Sequence, residues 1–194
     1  MKRNIIKENS APGVEERMPM DGKDIVLEQA CFNRYTLAGK YTKGKVVVDA
    51  ACADGYGSDF LEAIEYVGLD YHKPSLKKAE KLHGGKNRVY RFADIEKEEI
   101  PECDVLILFE IMEHLEDPLA FIKNASKHVK DTIIISVPNN ETPGDNQYHK
   151  WIFDENSFKE IISGIFQNVE FYQQDDKTIG KDIYPLWIVA IIHL

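Results

Sequence analysis

Val46-Val47-Val48-Asp49-Ala50-Ala51-Cys52-Ala53-Asp54-Gly55-Tyr56-Gly57-Ser58 runs from a β-branched stretch through an acid into a turn of small residues. A strand that ends in this way leaves backbone polar groups open at its carboxyl end, where open α/β sheets bind ligands. Gly55 and Gly57 permit close approach to the backbone. The third glycine of a pyrophosphate-binding G-x-G-x-x-G turn is missing. Asp49 stands where a pyrophosphate would be repelled, and an acid there suits a ligand bearing an ammonium or sulfonium charge.

Outward from this turn, strand and helix signals alternate. Strand patterns fall at 46–50, 65–70, 88–92, 104–109, 132–137, 168–173 and 186–193. Helix patterns fall at 23–41, 58–64, 74–82, 118–129 and 155–162. Leu27, Cys31, Tyr35 and Ala38 recur at helical spacing in the first. Pro74 and Pro118 suit a first helical turn, and Asp154 or Ser157 suits the cap of the last helix. The alternation predicts an α/β, doubly wound, mostly parallel seven-stranded sheet with helices on both faces. The last two strands lack a helix between them and should pair antiparallel at one edge.

Residues 1–22 are polar and broken by Pro12, Gly13, Pro19 and Gly22, which reads as a flexible arm that folds over a site. Residues 23–194 read as one domain, a length that can bury a full core. A net charge of −9 argues against long-range attraction to nucleic acid or an anionic membrane, without excluding a local basic patch. Cys31, Cys52 and Cys103 have no C-x-x-C spacing and read as buried, reduced thiols. No apolar run reaches membrane-spanning length and no leader-like apolar core opens the chain, so the expected location is the cytoplasm.

Further strand ends carry acids. The second strand closes on Gly68-Leu69-Asp70, about twenty residues after the first turn, where an acid accepts from ribose hydroxyls. The third is followed by Ala93-Asp94-Ile95. The fourth runs into Phe109-Glu110-Ile111-Met112-Glu113-His114-Leu115-Glu116-Asp117-Pro118, and the fifth ends Ile134-Ile135-Ser136-Val137-Pro138-Asn139. In this order the motifs resemble the class I S-adenosylmethionine (SAM)-dependent methyltransferases, from about Asp24 to the C-terminus. Ala53 departs from the glycine usual in that turn; at negative φ its methyl should be harmless.

The resemblance implies a Rossmann-like fold, SAM as cofactor, and roles for individual residues. Asp49 and the Ala51 backbone would face the methionine ammonium, and Gly55 and Gly57 would let the cofactor lie close. Asp70 would hold the ribose, with Tyr71 beside the adenine. Asp94 and Ile95 would hold the adenine edge, and Glu110 would line the reactive end. Arg34 is either the group for the methionine carboxylate or an exposed helix charge.

Glu110, Glu113 and His114 stand at i, i+3 and i+4, one face of a helical turn. His149 follows the next strand, so the loops converge on one sheet edge. Such a set could hold Mg²⁺, Mn²⁺ or Zn²⁺. It resembles the small-RNA 3′-terminal 2′-O-methyltransferases and the ubiquinone-biosynthesis O-methyltransferases, both with Glu-x-x-Glu-His. Without a metal, His114 or His149 would serve as general base. Arg34-Tyr35, Gly55-Tyr56-Gly57-Ser58 and Phe166-Gln167-Asn168-Val169-Glu170-Phe171-Tyr172 resemble small polysaccharide-associated methyltransferases, and Tyr148, Trp151 and Phe153 suit stacking on a sugar. The expected function is methyl transfer to a hydroxyl of a small molecule or saccharide. The alternatives are metal-dependent 2′-O-methylation of an RNA 3′ end and a non-catalytic SAM-binding scaffold.

Overall fold

The structure is a computed structural model that describes residues 6–7, 25–144 and 146–194. The elements in chain order are β1 (Ile6–Lys7), α1 (Ile25–Thr42), β2 (Val46–Ala50), β3 (Glu65–Asp70), α2 (Lys73–His83), β4 (Arg88–Phe92), β5 (Cys103–Phe109), α3 (Pro118–Ala125), β6 (Val129–Pro138), β7 (Trp151–Ile152), α4 (Glu155–Ile165), β8 (Asn168–Gln174), β9 (Ile179–Gly180) and β10 (Trp187–His193). Eight strands form one sheet in the order β4-β3-β2-β5-β6-β10-β8-β9. β4, β3, β2, β5 and β6 are parallel, and β10 runs antiparallel to both β6 and β8.

The expected doubly wound sheet is present, with two differences. The two-residue β9 adds an eighth strand. The last two long strands, β8 and β10, pair antiparallel toward one edge as expected; β10 takes the inner place beside β6, because Ile188, Val189, Ala190, Ile191 and Ile192 are apolar on both faces and fully buried. β8 alternates polar and apolar and suits the outer place. The second difference concerns the helix expected at 58–64. It is a 3₁₀ turn, Tyr56–Phe60, after which the chain extends at Leu61; Gly55 before it and Gly57 within it disfavour helix propagation.

Alternation along the strands sorts the core into two faces. Val47, Val105, Ile107, Ile134, Val189 and Ile191 meet Tyr35, Leu37 and Ala38 of α1. Val48, Leu106, Leu108, Ile133, Ile135, Ile188 and Ile192 meet Ile122 of α3 and Phe158 and Ile162 of α4. Side chains fix the helix starts. Asp117 accepts from Ala120 N at 2.9 Å, and Asp154, not Ser157, accepts from Asn156 N and Ser157 N at 3.0 Å. Each such cap contributes about 1 kcal/mol.

The three cysteines are buried free thiols. Among the described residues no helix is long and apolar enough to cross a membrane. The arm expected over residues 1–22 lies outside the described residues apart from β1. That strand pairs antiparallel with β7, Ile6 opposite Ile152 and Lys7 opposite Trp151.

Candidate functional site

The carboxyl ends of β2, β3, β5 and β6 carry the site. Asp49 is buried, and its Oδ2 accepts from Tyr35 Oη at 2.9 Å and Tyr66 Oη at 2.8 Å. Its Oδ1 is buried without a hydrogen bond among the described residues. Burial pushes the carboxyl up to about 7, against the lowering effect of the two tyrosines. A neutral or under-solvated acid in this position is stabilised by an incoming cation.

Arg34 is 3% exposed, so the exposed-charge alternative is ruled out by burial. Nη1 donates to Gln174 Oε1 at 3.1 Å and lies 4.0 Å from Glu110 Oε1. The guanidinium stacks 5.2 Å from the Trp187 ring, and Nε is buried without a hydrogen-bond partner among the described residues. Two buried groups of opposite charge thus each keep one unmet polar atom. An ammonium-plus-carboxylate ligand has the groups to satisfy both, which is the amino-acid end of SAM.

The turn itself differs from expectation. Ala53, expected at negative φ, sits at φ 49°, and Ala51 sits at φ 67°. An L-residue there costs about 1–2 kcal/mol. Asp70 holds the strained turn: Oδ2 accepts from Ala53 N at 3.0 Å and Oδ1 from His72 N at 2.7 Å. The glycines make room for protein on their open sides. A Cβ on Gly57 would fall 2.1 Å from the Tyr35 ring, and one on Gly55 (φ +79°) would fall 2.6 Å from Ala79 and Tyr90. Tyr71 is exposed and Ile95 half-buried. Asp94 faces Lys97 at 2.7 Å.

Of the four residues expected to share a metal, the structure brings together three. Ligand atoms of Glu113, His114 and His149 lie within 4.8 Å of one another, and the two imidazole centroids are 4.8 Å apart. Glu110 is directed elsewhere. It takes φ 51°, and its Oε1 accepts from Ser136 Oγ at 2.6 Å. The i, i+3, i+4 argument failed because Glu110 precedes the turn; only Met112–His114 is helical, as 3₁₀.

Glu113 is 1% exposed, and neither of its oxygens accepts a hydrogen bond among the described residues. Desolvation first, and Glu110 second, hold its carboxyl well above the usual carboxylate range; His149 works in the opposite direction. His114 Nδ1 donates to Tyr148 O at 3.2 Å, which leaves Nε2 as the electron-pair donor. His149 Nδ1 donates to Glu141 Oε2, and its Nε2 accepts from the Asn146 amide at 3.0 Å. A cation on that nitrogen would displace Asn146. Two imidazoles held by hydrogen bonds beside a bare buried carboxylate form a donor set that fits a divalent ion.

Glu141, Asn146 and Ser136 were not legible as site residues. Each acts across a loop or between strands, and no local spacing marks them. Tyr35 and Tyr66 were readable only as core aromatics; a buried hydroxyl needs a partner, which was the available signal.

A model of the Methyltransf_12 family, a methyltransferase domain, matches residues 48–132. This match supports the resemblance to the class I SAM-dependent methyltransferases. A probable SAM-dependent methyltransferase of Mycolicibacterium smegmatis is 25% identical over 141 residues, covering 70% of this chain and 51% of that protein. The ubiquinone biosynthesis O-methyltransferase of Aliivibrio fischeri is 37% identical over 95 residues, 45% of this chain and 40% of that one. The chain therefore spans about half or less of the curated relatives it matches. Among solved structures, the small RNA methyltransferase HEN1 superposes with a TM-score of 0.70 at 18% identity, over 94% of this chain and 27% of that chain; this likeness is one of fold. The methyltransferase model ends at 132, so it covers the cofactor turn and Glu113-His114 but not His149.

Proposed function

We propose that this methyltransferase binds SAM and moves its methyl group to a hydroxyl oxygen of a small-molecule or saccharide acceptor. The cofactor reading is supported by the unmet Asp49 Oδ1 and Arg34 Nε, with Asp70 for the ribose and Asp94, Ile95 and Tyr71 toward the adenine. The observation that carries the oxygen reading is the bare Glu113 carboxylate between His114 and His149. A hydroxyl is a poor nucleophile until its proton is removed or its pKa lowered, and this cluster is built for either.

Glu113, His114 and His149 would hold a divalent cation. Such an ion would polarise the acceptor hydroxyl and lower its pKa. The Tyr148 carbonyl holds the His114 ring with Nε2 3.9 Å from Glu113 Oε1, and Glu141 and Asn146 fix the His149 ring through its two nitrogens. Lys150 N donates to Glu113 O at 2.8 Å and Trp151 Nε1 to Leu115 O at 2.7 Å, fixing the loop against the turn. Alignment of acceptor oxygen, methyl carbon and sulfur then lets the oxygen–carbon bond form as the carbon–sulfur bond breaks. Tyr148 and Trp151 supply aromatic surface for a sugar face. Metal-dependent 2′-O-methylation of an RNA end would use the same cluster, a reading supported by the fold shared with HEN1.

Calorimetry with S-adenosylhomocysteine (SAH) and NAD tests the cofactor, with micromolar SAH binding and no NAD binding expected. Label transfer from SAM to a panel of hydroxylated acceptors, with and without EDTA and restored Mn²⁺, tests the chemistry. Turnover lost on chelation while SAH still binds is the expected result. Turnover that survives chelation but fails in His114→Ala or His149→Ala would make that histidine the base. Transfer only to nitrogen or carbon would overturn the oxygen reading.

A further inference from the structure

The chain is acidic overall, yet one edge of the molecule is not. From Tyr71 to Phe92 there are seven lysines and arginines (Lys73, Lys77, Lys78, Lys81, Lys86, Arg88 and Arg91) against one acid, Glu80. This is a local excess of six positive charges in a chain whose total is −9. The segment is α2, its connecting turn and β4, which pack on each other at the end of the sheet. A solvated helix normally alternates charge sign and so supports itself through i, i+4 pairs; α4 does so with Glu155 and Lys159. α2 instead sets Lys73, Lys77 and Lys81 at i, i+4 and i+8, where they repel.

Some of these charges are used within the protein. Lys78 pairs with Asp54 and Arg88 with Asp59. Lys77, Lys81, Lys86 and Arg91 are exposed and have no carboxylate partner among the described residues. Apolar surface is interleaved with them: Phe92 is 46% exposed, Val89 51% and Leu82 57%. The Lys73 ammonium sits 4.8 Å from the centroid of the Phe92 ring. Unpaired cations at helical spacing, together with an exposed aromatic face, match what a single-stranded nucleic acid requires: charge for phosphates and a ring on which a base can stack.

We infer that the α2–β4 face binds single-stranded nucleic acid. Eleven helical residues give a track about 16 Å long, enough for about five phosphates at the ~3.4 Å per-strand spacing of a stacked strand. The track opens onto the site edge. Lys73 opens the helix after β3, and Phe92 closes β4, three strand spacings, roughly 14 Å, from β5. The inference stands apart from the small-acceptor reading, since binding reports on this face and turnover reports on the acceptor.

The test is fluorescence anisotropy of the full chain with a labelled 12-nucleotide single-stranded RNA, from 50 to 200 mM salt. Saturable binding is expected at low salt, with a log–log salt slope near −3, since four unpaired cations contribute about −0.7 each. The triple variant K77E/K81E/R91E should bind at least tenfold more weakly. The triple K123E/K127E/K130E, with the same charge change at exposed lysines elsewhere, should stay within about threefold of the wild type. F92A should weaken RNA binding severalfold without altering the salt slope. SAH calorimetry on every variant checks the fold, and single substitutions replace any triple that fails it. Absence of binding at 50 mM salt, or equal loss in both triples, would overturn the inference. So would polyglutamate of matched charge binding as tightly as RNA with F92A indifferent, which would make the face a dock for acidic protein.

Discussion

Lys150 donates its backbone N–H to the carbonyl of Glu113 at 2.8 Å, and so joins the loop bearing His149 to the turn bearing His114. The two residues are far apart in sequence, and neither side chain takes part in the bond. Its effect is to hold a buried carboxylate and two imidazoles, contributed by the loops after β5 and β6, in one cluster.

Removal of any one member should disable that cluster as a unit. Glu113→Gln, His114→Ala and His149→Ala should each abolish saturable Mn²⁺ binding in calorimetry while SAH affinity changes by less than about twofold. Double variants should lose little more activity than single ones, because ligands that act together are far from additive. Full metal affinity in Glu113→Gln would contradict this.

Glu141 acts through His149. Glu141→Gln keeps a hydrogen-bond acceptor but removes the charge, and should lower metal affinity or turnover by about 10–100-fold, the usual range for such a partner. Glu141→Ala should be worse. The measurement is Mn²⁺ affinity and the pH–rate profile, which should move in Glu141→Gln; a profile identical to wild type would mean that the contact is only structural.

Asp49 predicts a pH dependence with a definite sign. Its folded-state value of about 7 exceeds the ordinary 3.8, so the folded protein holds a proton that the unfolded chain releases. The contribution of this group to stability is therefore greatest below about pH 4 and declines as pH rises to about 7. Ligand binding runs the other way. A cation beside Oδ1 favours the carboxylate, so SAH affinity should rise up to about tenfold per pH unit below 7 and level off above it. Calorimetry in buffers of different ionisation enthalpy should detect proton release near pH 6, and Asp49→Asn should abolish it.

The strained alanines give a stability prediction. Ala53→Gly relieves a left-handed backbone at a cost in unfolded-chain entropy, for a net gain of about 0.5–1 kcal/mol. A higher Tm by scanning calorimetry is expected, with SAH binding retained. A fall in Tm would mean that the Ala53 methyl contributes packing that outweighs the strain.

Asp70→Ala should weaken SAH binding by about 1.5–3 kcal/mol, the range for a hydrogen bond to a charged group. Because Asp70 also holds Ala53 N and His72 N, the same variant should lower Tm. An unchanged dissociation constant with a lowered Tm would leave Asp70 as a turn-holding residue alone.

The order of elements and the parallel sheet were legible in the chain because apolar periodicity is a local property. Val46–Ala50, Glu65–Asp70 and Arg88–Phe92 were read with their observed bounds. So was the placement of acids at strand ends, since an acid closing a β-branched run can be seen without a partner. Tertiary structure decided what those acids do. Whether Glu110 joins Glu113 depends on a left-handed backbone at one residue and a hydroxyl on a neighbouring strand. The meeting of His114 with His149 depends on a loop closed by Lys150 and Trp151. The antiparallel pairing of β10 with β8 was legible too, since no helix separates them, while its place beside β6 came from the packed sheet. The basic edge was present in the sequence as a local excess; it became a face when α2 and β4 packed side by side. Side-chain direction and long-range contact come from the summed packing of distant segments, and spacing along the chain carries no term for them.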